Sequence, residues 1–244
     1  MRLHNRIYMI GSGALGMNAT DAYDCNVYLL DGGSEQAVFD CGTGYGVAAM
    51  IAEAKRDGYD SGGIRTLCLT HGHMDHAGGA ALWKAATGAI AAASRETAAM
   101  IEAADEIGIG LVQARANGVY PLDCRLTRCD IERQLQHEDE LHIGDLTLQV
   151  YATPGHSHDI VSYYCPELKA LFSGDTVFAG GEISVLNTPD FSMEQLRQSI
   201  QLLSRLDVEL LLPGHWSPVV RNGSKAIARA ASLFERGDIP RSIV

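Results

Sequence analysis

No stretch of the chain holds the ~18 uninterrupted apolar residues that a membrane-crossing helix needs, so no transmembrane segment is expected. The opening run MRLHNRIYMIGSG has only four apolar residues together, too few for a secretory leader. Base is in deficit: 19 Lys and Arg against 30 Asp and Glu give a formal charge of −11, which leaves no uniform basic footprint for a nucleic acid. Cysteine is thin as well. Six are scattered at positions 25, 41, 68, 124, 129 and 165 of a 244-residue chain, which is long enough to bury a sizeable core without staples. With 7 prolines, 26 glycines, 46% hydrophobic and 20% charged residues, the composition is globular, which excludes a fibrous or disordered chain. Repeats, linkers and low-complexity blocks are missing, so residues 1–244 are expected to form a single domain. A cytoplasmic protein acting on a small molecule, with no nucleic-acid or membrane partner, is the expectation. The composition carries no signal of oligomeric state.

What is present alternates. RIYMI (6–10), NVYLL (26–30) and AVFD (37–40) read as strands between Gly/Asp turns. After the turn CGTGYG (41–46), VAAMIAEAKRDG reads as a helix closed by Gly58. IRTLCLT (64–70) reads as a buried strand, the Ala-rich segments 77–87 and 95–107 as helices, and AIAAA (89–93) as a strand between them. Residues 108–130 hold Gly, Pro and Asn with no sustained period and read as an irregular insertion or lid. DLTLQVYAT (145–153), IVSYY (160–164), KALFS (169–173) and VELLL (208–212) read as further strands. Leu196, Ile200, Leu203 and Leu206 are spaced 4, 3 and 3, an amphipathic helix, and 224–236 reads as a closing helix. The class is α/β.

The chemistry gathers at the ends of these strands. His71, His73, Asp75 and His76 fall within six residues directly after a strand, and imidazole with carboxylate suits zinc, iron or manganese. Nine histidines in the whole chain make three in six positions a poor accident. TPGHSHD (153–159), SGDT (173–176) and LPGHW (212–216) follow three other strands. Ligands of α/β sheets collect beyond the carboxyl ends of strands, so His156, Asp175 and His215 stand where they could meet the first cluster. Pro and Gly before His156 and His215 permit the tight turns that would aim each ring.

HGHMDH at 71–76, GHS at 155–157, SGDT at 173–176 and GH at 214–215 resemble, in order, the motifs of the metallo-β-lactamase superfamily. The resemblance implies a four-layer αβ/βα sandwich with two metals in a groove at one edge. It implies His71, His73 and His156 on the first metal, Asp75, His76 and His215 on the second, and Asp175 as the bridge. Two Zn²⁺ fit a hydrolase, since no redox change is needed, with Fe or Mn as the alternatives. The implied reaction is attack of a metal-bridging hydroxide on an ester, thioester or lactone carbonyl, with Asp75 the catalytic residue that passes the proton on. Tyr120, Phe178 and Trp216 are the aromatic side chains expected near the groove mouth as substrate contacts.

Comparison within that superfamily narrows the branch. The β-lactamases of this fold put another residue type where Asp175 stands, so an antibiotic-hydrolysing role is not expected. Flavodiiron proteins carry Glu at the position of His73. FSGDTVF resembles the glyoxalase-II-like thioesterases and the lactonases, but only 29 residues follow His215, short of the helical extension that contacts glutathione. Phe178 stands where N-acyl-homoserine lactonases typically have Tyr. A mononuclear iron dioxygenase of the persulfide type, using His71, His156 and Asp175, and a metal-dependent phosphodiesterase or nuclease are the alternatives. One motif misleads: GSGALG (11–16) matches a dinucleotide fingerprint, but the nine residues 17–25 before the next strand have no helical period. A mobile Gly-rich loop overhanging the metal groove is the better reading.

Overall fold

A computed structural model describes all 244 residues, which group into two compact units. The first comprises Met1–Leu135 with Ile143–Asp145, the second Gln136–His142 with Leu146–Val244. No helix is long and apolar enough to cross a membrane.

The first unit is built on β1 (Arg2–His4), β2 (Ile7–Gly11), β3 (Val27–Asp31), β4 (Gln36–Phe39), α1 (Val47–Arg56), β5 (Ile64–Cys68), α2 (Met74–Ala77), α3 (Ala80–Thr87), β6 (Ile90–Ser94), α4 (Arg95–Ala103), α5 (Leu111–Ala116) and β7 (Arg133–Leu135). Its seven strands lie side by side in chain order. β1 to β4 pair antiparallel, β4 to β7 parallel. Each parallel step needs a crossover, and α1, α3 and the segment holding α4 and α5 supply them. α1 buries Val47, Met50 and Ala54, spaced 3 and 4, against a core that includes Leu29, Val38, Leu67 and Trp83. α4 begins at Ser94, whose hydroxyl caps Thr97 N–H, and ends at Ala104 in a left-handed conformation, short of the expected 107.

The second unit holds β8 (Glu140–Ile143) up to His142, β9 (Leu146–Ala152), β10 (Val161–Cys165), β11 (Ala170–Gly174), α6 (Met193–Leu203), β12 (Leu210–Pro213) and α7 (Gly223–Glu235). The sheet order is β12-β11-β10-β9-β8. β11 and β12 are parallel, and α6 lies in the crossover between them. Leu196, Ile200 and Leu203 of α6 and Ile227, Ala230 and Phe234 of α7 pack with Leu171 and Leu211 into this unit's core. The helical period read at 196, 200, 203 and 206 is the buried stripe of α6 for its first three members, while Leu206 lies beyond the helix, which ends at Leu203.

The strands and long helices read from sequence are present within a few residues. The segment 108–130 is less irregular than expected, since it contains α5, held by the Arg115–Glu106 ion pair at 2.5 Å. β1, β7 and β8, each of three or four residues, carry too few apolar positions to show a period.

Candidate metal centre

In the first unit, β5 ends at Cys68 and the chain turns through Thr70 and His71 into α2, with His73 at its N-cap and Asp75 and His76 in its first turn. The turn after β5 and the first turn of α2 therefore gather the four side chains. The His71 ring lies 4.6 Å from that of His73 and 4.1 Å from that of His76, centroid to centroid, and Asp75 Oδ2 stands 3.6 Å from His76 Nε2. His71 and His76 are fully buried.

Asp40, which directly follows β4, organises this cluster. Its Oδ1 accepts from Thr70 N–H at 2.7 Å, and its Oδ2 lies 2.8 Å from His76 Nδ1. An ionised carboxylate only accepts, so His76 Nδ1 carries the proton. The Thr70 hydroxyl donates to the same carboxylate (2.9 Å to Oδ2) and sits 3.0 Å from His71 Nδ1. A hydroxyl that has spent its one hydrogen on Asp40 can only accept from His71, so His71 Nδ1 is protonated too. One buried carboxylate thus sets both tautomers and turns both Nε2 lone pairs to the ligand side, the carboxylate–histidine device of metal sites. Asp40 and Thr70 were missed in the sequence, although the strand-end rule that picked out Asp175 applies equally to Asp40.

In the second unit, His156, Asp175 and His215 follow β9, β11 and β12. Asp175 Oδ2 lies 3.5 Å from His156 Nε2 and 3.3 Å from His215 Nε2, and all three side chains are buried. A chain of hydroxyls steadies the two turns: Thr176 donates to Thr153 at 3.1 Å, Thr153 contacts Ser162 at 3.0 Å, and Ser162 reaches the Ser173 carbonyl at 3.4 Å. The His156 turn is pressed on the start of α6, where Ser192 N–H donates to the Gly155 carbonyl at 2.8 Å. Gly155 has φ +143, and a Cβ there would come within 2.3 Å of Leu196 N and Cα. Neither backbone can yield cheaply, so Gly155→Ala is expected to destabilise the protein by about 3 kcal/mol, read as a thermal midpoint lowered by about 6–12 °C. An unchanged midpoint would show that the turn is not held as described.

The donor sets fit a tetrahedral divalent ion. Donors about 2.0–2.2 Å from a shared tetrahedral ion stand roughly 3.3–3.6 Å from one another. The separations of 3.3, 3.5 and 3.6 Å in the two clusters lie in that range, and imidazole with carboxylate is a zinc, iron or manganese set. His71, His73, Asp75 and His76 in the first unit and His156, Asp175 and His215 in the second are thus the candidate ligands, each unit bringing its own together.

The remaining expected site residues are placed differently from one another. Tyr120 Oη donates to Asp75 Oδ1 at 3.1 Å, and burial beside the Asp75 charge holds its phenol well above the usual range. Phe178 is fully buried, with its ring 6.3 Å from that of His215, so it packs behind that histidine rather than facing solvent. Trp216 is half-buried at a left-handed φ of +60, with the Arg241 guanidinium 5.8 Å above its ring. The loop expected to be mobile is tied down: the Ser12 hydroxyl donates to Asn26 Oδ1 at 2.7 Å and accepts from Met17 N–H at 2.6 Å. Gly13 lies so close to the 22–24 backbone that a Cβ would meet Asp24 O at 2.1 Å, so glycine serves close packing there.

Residues 20–215 match the sequence profile of the metallo-β-lactamase superfamily, a span that carries all seven candidate ligands. The chain belongs to this superfamily. Members similar to it include the acyl-coenzyme A thioesterase MBLAC2 of Bos taurus, 28% identical over an alignment of 228 positions that covers 86% of this chain and 78% of that protein. The hydroxyacylglutathione hydrolase of Brucella anthropi is 32% identical over 134 residues, 55% of this chain and 40% of that one. The superfamily fold is shared with BJP-1, a subclass B3 metallo-β-lactamase of Bradyrhizobium japonicum, at a TM-score of 0.73 and 20% identity over 97% of this chain and 91% of that one. The chain is a metal-dependent hydrolase of this superfamily.

Proposed function

We propose that the protein is a dinuclear zinc thioesterase, cleaving an acyl thioester of a small-molecule thiol such as a coenzyme. The observation that carries this reading is Asp175, one carboxylate oxygen faced at 3.3 and 3.5 Å by two imidazole nitrogens. An oxygen shared in that way is what a bridging ligand requires. In the proposal His71, His73 and His156 hold one ion, Asp75, His76 and His215 the other, and Asp175 both. Bound there, two divalent ions would supply Lewis acidity toward the carbonyl oxygen and lower the pKa of water toward about 7.

The chain's own residues have distinct tasks. Asp40, through His76 and by way of Thr70 through His71, presents Nε2 of each ring as the donor. Asp75 keeps Oδ2 toward His76 while its Oδ1 is held by Tyr120, so the carboxylate is fixed at both ends and can take a proton at a defined oxygen. Similarity to an acyl-coenzyme A thioesterase and to hydroxyacylglutathione hydrolases supports a thioester over an ester or lactone.

The test is elemental analysis of protein purified without added metal, beside a panel of acyl-coenzyme A and acyl-glutathione thioesters, lactones and phosphodiesters. Two zinc per chain and thioester turnover that falls with chelation and returns with zinc are the expected result. One iron per chain with oxygen uptake on a persulfide would overturn it.

A further inference from the structure

Three tyrosines of the first unit form a row that starts at Asp75. Tyr120 donates to Asp75 Oδ1, its ring meets Tyr23 at 5.7 Å and 51°, and Tyr23 meets Tyr45 at 6.5 Å and 59°. Exposure rises outward, from half-buried Tyr120 to 39% at Tyr23 and 52% at Tyr45. Each tyrosine comes from a different stretch without helix or strand, so the row is not the by-product of one element's periodicity.

The row is also braced. Asp24, buried beside Tyr23, accepts from the Thr20 hydroxyl at 2.8 Å and from Thr43 N–H and hydroxyl at 3.0 and 3.1 Å. It thereby ties the loop carrying Tyr23 to the turn carrying Tyr45. Neighbouring aromatic faces left open to water and pinned in place are a ready surface for an apolar group.

Its electrical surroundings narrow the occupant. Asp21 lies against the row, accepting from Tyr23 N–H at 3.0 Å, and burial, the adjacent Cys124 thiol and the carboxylates of Asp123 and Asp21 together push the Tyr45 hydroxyl up to about 12. An acidic flank repels the phosphates of a coenzyme thioester and leaves the row to the uncharged end of the molecule.

We propose that Tyr120, Tyr23 and Tyr45 form the acyl-chain subsite, with the thioester carbonyl at the Asp75 end and the hydrocarbon laid outward across the rings. The assignment rests on the thioesterase reading given above. Ring-to-ring steps of 5.7 and 6.5 Å accommodate roughly eight to ten carbons of a zigzag chain of single C–C bonds. A methylene taken fully out of water is worth about fourfold in binding, and one laid by a single face on a ring about twofold.

The experiment measures kcat/KM for straight-chain acyl-coenzyme A thioesters from acetyl to dodecanoyl on the zinc-loaded protein. The expected result is a rise of about twofold per methylene that levels off near eight to ten carbons. Tyr23→Ala and Tyr45→Ala should each cut the octanoyl-to-acetyl ratio about fivefold. Tyr23→Phe and Tyr45→Phe, which keep the apolar face, should retain it. Ile90→Ser, an exposed change at the opposite end of the parallel strands, should leave the profile as it was. Calorimetric titration with non-hydrolysable S-ethyl and S-decyl coenzyme A thioethers reads the same preference without chemistry. A flat profile in the wild type, or a steep one that both alanine variants keep, overturns the subsite and leaves the thioesterase standing. If no thioester is turned over, the reaction assignment falls, and the thioethers decide the subsite alone. Tighter S-decyl binding that is lost in both alanine variants upholds it, and equal binding of the two thioethers ends it.

Discussion

Replacing Asp175 with alanine is expected to lower kcat/KM on thioesters by at least about three orders of magnitude and to cost one of the two metal equivalents. Two +2 ions about 4 Å apart, as in dinuclear sites, repel by roughly 17 kcal/mol at an effective dielectric near 20. A shared anion is what offsets that repulsion, and Asp175 is the carboxylate with two imidazoles turned on one of its oxygens. Asp175→Asn keeps the shape and removes the charge, so it should lose the second metal nearly as completely. Elemental analysis and steady-state kinetics on the same preparations check both variants. Turnover within twofold of wild type with two ions retained would sink the dinuclear account.

The second large effect belongs to a residue that touches no ion in the proposal. Asp40→Ala should reduce zinc affinity by about 10–100-fold and lower the thermal midpoint by about 10 °C. The stability loss follows from what is left behind: the Thr70 N–H, the Thr70 hydroxyl and the His76 Nδ1–H all lose their buried acceptor. Asp40 also has φ +60, which Asp and Asn tolerate better than Ala. Asp40→Asn separates the two consequences. It keeps the left-handed backbone and most of the packing, but an amide group turned to His76 would donate where a carboxylate accepts. His76 would then have to carry its proton on Nε2, the side that faces Asp75. The asparagine variant should thus lose metal affinity out of proportion to its stability, measured by competition with a chelator and by thermal denaturation. Equal, small changes in both quantities would show that Asp40 is only a packing residue.

Much of the fold was legible because apolar runs and polar punctuation alternate along the chain, and His71, His156, Asp175 and His215 stand within a few residues of strand ends. What stayed hidden depends on partners distant in sequence. Asp40 looks like an ordinary end-of-strand residue until His76, 36 positions later, is seen against it. The tyrosine row has no motif, since Tyr23, Tyr45 and Tyr120 meet only through folding. Phe178 shows the converse: nearness to Asp175 in the chain gives no direction, and its ring is wholly in the core. α5 went unseen because Gly108, Gly110 and Gly118 crowd its six residues, and what holds it is Arg115 paired to Glu106 and bonded to the Cys124 carbonyl.

All six cysteines are free and buried. Burial raises the thiols of Cys68, Cys124 and Cys129 and pushes that of Cys165 up to about 12. Thiol–disulfide exchange needs a thiolate and a line of approach, and these sulfurs offer neither. An enzyme that liberates a thiol at every turnover works among the disulfides that thiol forms on oxidation. On the proposed thioesterase reading, the thiol released and the disulfides it forms meet no accessible thiolate on this chain to cap.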